Sequence, residues 1–283
     1  MRNEKISQVI DDFSEYLKGV SEDNYKKLET LLRDLTLDKG NIKINVKNLN
    51  IITKVKALLR KTLTNREYIK KVNELQDVID EIGNIQAKYF KDTFDAEEPK
   101  VIEEYQNQAF ETVKESLLRS GTEVNVIQKT VDIVKRNINS GSSFADLNNE
   151  LKTAMLGDSD TEPRLISYTK QVINDTLHGV ARNYNNLMAE KLGLVWYEWA
   201  GGLVRHSRPL CIAMVDKHYF HKSEIPDIIK GNINGEKVSL QGLYPGTDKD
   251  NFVNVCGGYN CEHHATPVPD AVIPMNLREK FRT

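Results

Sequence analysis

A chain of 283 residues with 39% hydrophobic and 28% charged residues can build a core but carries much solvated surface. Its length suits one large domain or two ordinary ones. A net charge of -2 gives no global positive field of the kind that gathers nucleic acid. No stretch approaches the roughly 18 unbroken apolar residues that span a bilayer. The opening MRNEKISQVIDDF lacks the apolar run of a secretory signal. Three cysteines, an odd number, argue against a secreted disulfide framework. Synthesis in the cytoplasm is the simplest expectation.

In chain order, the first 192 residues show mainly the helical period. Ile6, Val9, Ile10, Phe13 and Leu17 form one apolar stripe. Ser21 is placed to cap a second helix carrying Tyr25, Leu28, Leu31, Leu32 and Leu35, which Gly40 would end. Ile42, Ile44 and Val46 alternate like a short strand. A basic helix comes next, with Lys47, Lys54, Lys56, Arg60 and Lys61. Neighbouring acids cancel its field, so it reads as a solvated face. Thr64 is placed to cap a long helix from Asn65 to about Phe94, and Pro99 suits the first turn of another ending near Gly121. These stripes are the seams that a helical bundle needs, and none suggests a cofactor role.

From Asn139 the character changes. NSGSS is a flexible turn, and Ser143 with Asp146 resembles a capping box before Phe144, Leu147, Leu151 and Met155. GDSDTEP leads to Pro163 and a long helix, 163–192, with an apolar seam from Leu165 through Ile173, Leu177, Val180 and Tyr184 to Met188. VWYEW at 195–199 reads as a strand. Beyond Gly201 and Gly202, loops and short strands are expected, with one helical turn over Lys222–Asp227 and an extended tail. The expected fold is mainly α with a small α+β C-terminal module. An elongated helical region, 1–140, precedes a C-terminal part, 141–283. That part comprises the long helix, a β-rich module at 194–268 and a tail at 269–283.

All three cysteines and five of the six histidines fall after Trp196. Cys256 and Cys261 are separated by four residues, and His263 and His264 come directly after. Cys211 lies upstream. Thiolates with imidazole are the mixture that zinc prefers, so Cys211, Cys256, Cys261, His263 and His264 are candidate ligands of a structural zinc. The spacing is not the paired C-x2-C knuckle. Buried free thiols, or one redox-dependent disulfide, account for the same residues with no cofactor at all, and that is the preferred expectation. A zinc hydrolase would need a base such as Glu262 or Asp216, and a Cys211–His218 nucleophile can be drawn, but chance pairs arise readily in so rich a region. No H-E-x-x-H, P-loop or G-x-S-x-G is present. Arg205, His206 and Arg208 precede Pro209. Arg208 is expected to bond the loop backbone or make an internal salt bridge rather than meet a phosphate or a partner carboxylate.

Taken together, the helix from Arg164 to the Asn183-Tyr-Asn-Asn run, the strand with Trp199, HSRPLC at 206–211 and GGYNCEHHATPV at 257–268 resemble the phage Mu F-like minor head proteins. The likeness covers about residues 140–268. Three positions depart from the family pattern: His206 for an acid or threonine, Asp216 for glycine, and Glu262 for arginine. The last removes a positive charge that a phosphate contact would use. The resemblance implies a non-enzymatic virion component made in the host cytoplasm and located inside the head or at the portal. Its partners would be portal or capsid proteins, with non-specific contact to packaged DNA and no membrane span. Because RPLC and GGYNC recur together in that family, the resemblance also implies that Cys211 and Cys261 lie close in space. The alternative is a metal-dependent hydrolase or nuclease-type toxin using the Cys/His cluster.

Overall fold

The computed structural model describes residues 2–281. The chain is mainly α with a small α+β module toward its C-terminus. Helix α1 (Arg2–Leu32) is continuous. Ser21, expected to cap a second helix, is instead buried within the first. The stripe of Phe13, Leu17, Leu28 and Leu32 carries one period through it, and Gly19 costs an otherwise well-packed helix only about 1 kcal/mol.

Next comes a hairpin, β1 (Leu37–Asp38) with β2 (Asn41–Ile42). Its two-residue turn has positive φ at both Lys39 and Gly40, the geometry that matches strand twist. Gly40 therefore serves a hairpin rather than a helix end. The strand stops at Ile42, which is 2% exposed; Ile44 and Val46 are 66% and 73% exposed, and α2 (Val46–Leu63) has already begun.

Thr64 closes α2, and Asn65 caps the next helix by accepting from the Glu67 and Tyr68 N–H groups. The single helix expected over 65–94 is two, α3 (Arg66–Asn73) and α4 (Leu75–Phe94). Helix α5 (Val101–Leu118) starts just after Pro99, whose carbonyl accepts from Ile102 N. Gly121 is no terminus. It lies in α6 (Ser120–Thr122), which runs through a π-helical stretch, Glu123–Gln128, into α7 (Lys129–Ser140). Gly141 ends α7 in the left-handed conformation. Ser143 then caps α8 (Phe144–Leu156) by accepting from Asp146 N. Helix α9 (Arg164–Leu192) ends at Gly193.

The remainder comprises β3 (Trp196–Ala200), α10 (Pro209–Lys217), β4 (Tyr219–His221), a 3-10 turn into α11 (Ile225–Ile228), β5 (Asn232–Ile233), β6 (Glu236–Lys237), α12 (Phe252–Val255), β7 (His264–Val268) and α13 (Met275–Glu279). Helix α10 stands where loops were expected. Pro209 opens it, in the first turn, where an N–H has no intrahelical acceptor and its absence costs no helix bond. The tail is not extended either. Asp270–Val272 forms a 3-10 turn, and Pro274 precedes α13.

The chain divides into two compact units, each assembled from separated stretches. One, the hairpin unit, comprises Ser7–Gln76 and Phe110–Ile173. Its core joins Leu28, Val55, Val134, Ile138, Leu147 and Leu151, each worth about 1.5–3 kcal/mol when fully buried. The hairpin docks on the α7–α8 turn through Ile42 N to Ser142 O (2.9 Å) and Phe144 N to Gly40 O (3.0 Å). Asn48, fully buried, accepts from Thr36 N (2.8 Å) and donates to Thr36 O (2.9 Å) and Lys43 O (2.7 Å).

The other, the sheet unit, comprises the residues up to Ile6, Asp77–Ala109 and Asn174–Thr283. Its sheet is antiparallel with order β4-β3-β7. Alternation along the central strand sorts its side chains by face. Tyr197 and Trp199 enter the main core with Met214, Phe220 and Phe252. Trp196 packs with Val268 and Ile273 on a second, smaller cluster.

Candidate functional site

The site is built on the polar face of α9 after Asn174. Asp175, His178, Arg182 and Asn185 recur every three or four residues, so they share one stripe. That stripe grips the segment from Asn260 to Ala265 largely by its backbone. Asp175 accepts from Asn260 N (2.8 Å). Arg182 Nε donates to His263 O (2.9 Å) and its Nη2 to Cys261 O. Asn185 donates to Ala265 O (3.3 Å). His178 Nδ1 lies 2.8 Å from His264 Nε2. The apolar seam of α9 is evident in the sequence, but this stripe is easily taken for a solvated face. Its signal was the same three-to-four spacing, displaced around the helix.

Held this way, Cys261 and His263 meet Cys211 at the third position of α10. The two sulfurs lie 4.0 Å apart, and Cys261 Sγ is 3.7 Å from His263 Nδ1. The donor atoms of all three residues lie within 4.8 Å of one another. The three residues are 3%, 3% and 5% exposed. No disulfide joins the thiols, all three of which are free. The backbone N–H of Gly257 donates to Cys261 Sγ (3.3 Å). A Cβ on Gly257 would sit 2.6 Å from Cys211 Sγ and 2.8 Å from Cys261 Sγ. Its φ is not in the left-handed range, so glycine is needed here for clearance beside the sulfurs.

The other two candidate ligands do not join. Cys256 is buried with positive φ, and its Sγ donates to Val253 O (3.4 Å). His264 pairs with His178. Trp199 stacks on the His263 ring at 5.6 Å and 22°, fixing its plane. Asp216, Glu262 and His218 are exposed, and His218 faces Glu198 at 3.5 Å. They do not converge on the buried sulfurs. Arg205 and His206 are exposed, while Arg208 donates to Gly242 O (2.8 Å) and Tyr259 O. It bonds loop backbone.

The electrostatics of the cluster come from burial beside two arginines. Burial, then the charges of Arg182 and Arg2, hold His178 down at about 3; the same causes hold His264 well below its ordinary value. Both rings are neutral at physiological pH, so one donates to the other. Arg2 is lowered to about 10, first by burial and then by Arg182. Cys261 lies well below the usual thiol range because the Cys211 thiol hydrogen-bonds to it, with His263 and Arg182 adding to the effect. Cys211 is pushed up by that same pairing and by burial. Cys256 is pushed to about 12 by burial.

Fold and site together define a mainly helical protein whose C-terminal loops are clamped by α9 around a buried thiol–imidazole cluster. No protein-family model, curated protein or solved structure matches this chain. Among the described residues no helix is long and apolar enough to cross a membrane.

Proposed function

We propose that this chain is a bacteriophage minor head protein that acts as a structural component, associating with the portal or the capsid interior during head assembly. The observation that carries this reading is architectural. Four segments that resemble the Mu F-like family (helix α9 beyond Asn174, the strand with Trp199, the RPLC segment and the GGYNCEHHATPV closure) are bonded to one another as one module. Arg182 holds the Cys261 and His263 carbonyls, Arg208 holds those of Gly242 and Tyr259, and β3 pairs with β7 from Trp196↔Val268 to Ala200↔His264. The Arg182 and Arg208 guanidinium groups are thereby spent on the fold. A metal-dependent hydrolase or toxin needs an open coordination position that substrate can reach, whereas Cys211, Cys261 and His263 are almost fully covered.

For partners, the module offers exposed apolar side chains at Leu203, Val204, Ile212 and Tyr259. Contact with packaged DNA, if made, would be non-specific. The test is co-purification: the tagged chain, expressed with the portal protein of its own phage, is expected to elute with portal and to be found in mature virions. Absence from virions together with metal-dependent cleavage of nucleic acid would replace this reading by the toxin alternative.

A further inference from the structure

We propose that Cys211, Cys261 and His263 bind one Zn2+ ion that staples the start of α10 to the segment after α12. The inference uses the sheet unit alone and does not rest on the head-protein reading. Its first support is spacing. Two Zn–S bonds of about 2.3 Å at a tetrahedral angle place sulfurs about 3.8 Å apart, and a Zn–N bond of about 2.0 Å places sulfur and nitrogen about 3.5 Å apart. The observed separations are 4.0 Å and 3.7 Å. A disulfide needs about 2.05 Å.

The second support is space. Gly257 is the residue that leaves the sulfurs room: any side chain there would start 2.6 Å and 2.8 Å from them. Its N–H donates to Cys261 Sγ, the kind of outer contact that orients a thiolate ligand. The third is charge. Two thiolates and a neutral imidazole around Zn2+ sum to zero, so the ion enters the interior without leaving net charge there. Binding sends any proton still on the two thiols to solvent. Thiolate with imidazole selects zinc over magnesium, calcium or manganese. Three protein ligands leave the fourth position for a small donor such as water. Cys256 is excluded from the set because its sulfur is turned to Val253 O.

The experiment uses the full chain, purified with reductant and without metal-affinity resin. Zinc by atomic emission is expected at about one ion per chain. It is expected to fall about tenfold or more in Cys261→Ser and His263→Gln, and to stay in Cys256→Ala. Because a ligand variant can misfold, wild-type protein is also stripped with chelator and refilled with Co2+. The expected signature is thiolate-to-cobalt charge transfer with the intense visible bands of four-coordinate cobalt. A wild-type chain that neither carries zinc nor takes up cobalt would overturn the proposal. So would thiol counting that finds a Cys211–Cys261 disulfide in the protein as purified with reductant. Loss of the ion from Cys256→Ala as complete as from Cys261→Ser would overturn the ligand set.

Discussion

Each compact unit pins a loop-rich segment with one buried polar side chain projecting from a helix, but the two side chains differ in charge. In the hairpin unit, Asn48 of α2 bonds Thr36 and Lys43. In the sheet unit, Arg182 of α9 bonds Cys261 and His263. The neutral amide gives a clamp that is insensitive to its surroundings. The guanidinium places a positive charge beside thiols and imidazoles, which adds to the Cys211 hydrogen bond in lowering Cys261 and to burial in discouraging protonation of His178 and His264. Every histidine and cysteine of the chain lies from Asn174 onward, in the sheet unit. The buried thiols and imidazoles are therefore confined to the sheet unit, while the titrating groups of the hairpin unit are surface carboxylates such as Glu123.

The largest effect is expected from Arg182→Met. It leaves two buried carbonyls without a donor and removes the charge that organises the cluster, a loss of about 3–5 kcal/mol. Both tryptophans lie in the sheet unit, so their fluorescence reports on it alone. Its denaturant midpoint should fall while far-ultraviolet circular dichroism keeps a later transition. The converse variant is Asn48→Ala. Three lost hydrogen bonds amount to on the order of 3 kcal/mol, and here the dichroism should shift while the tryptophan midpoint stays.

Acid sharpens the contrast. His178 sits at about 3 in the folded sheet unit against an ordinary 6.5, with Arg182, Arg2, His263 and His264 around it. The unfolded chain takes up a proton below 6.5 that the folded unit refuses. The resulting stability is complete above about pH 6.5 and falls by about 1.4 kcal/mol per pH unit as pH drops toward 3. Tryptophan-monitored melts with chelator present, which removes any metal contribution, should show at least this slope, because His264 is held down as well, and His178→Gln should reduce it.

The smallest effect belongs to the hairpin unit. Glu123 accepts from Arg60 (2.6 and 2.9 Å) and meets Lys56 at 3.0 Å. Chiefly the Arg60 hydrogen bond lowers its pKa, so its contribution is present above the ordinary glutamate value and lost as pH falls below it. The pairs are solvated, so Glu123→Gln should cost under about 1 kcal/mol, and salt should erase the difference. A melting series in sodium chloride checks this.

What could be read from the sequence was local and apolar. Ser143 with Asp146 announced the start of α8, and Pro163 with Gly193 bracketed α9, because caps and stops act within a few residues. Ser21 misled for the same reason: a local capping signal lost to an apolar stripe that continued through it. The β-like alternation of Ile42, Ile44 and Val46 yielded to the capping of α2 by Asn45. Pro209 did carry a helix-start signal, but the glycines and prolines around it concealed α10. The proximity of Cys211 and Cys261 came from resemblance rather than spacing. The Arg182 clamp was least legible, since its partners are main-chain carbonyls some eighty residues away that no side-chain pattern marks.

Hydrogen exchange on Cys211→Ser tests most directly the claim that the thiol–imidazole cluster is the structural staple of one unit. Read peptide by peptide, the variant should lose protection across 196–268 while 46–63 and 129–156 exchange as in the wild type. Unchanged protection at 196–268, or equal loss in both regions, would contradict it.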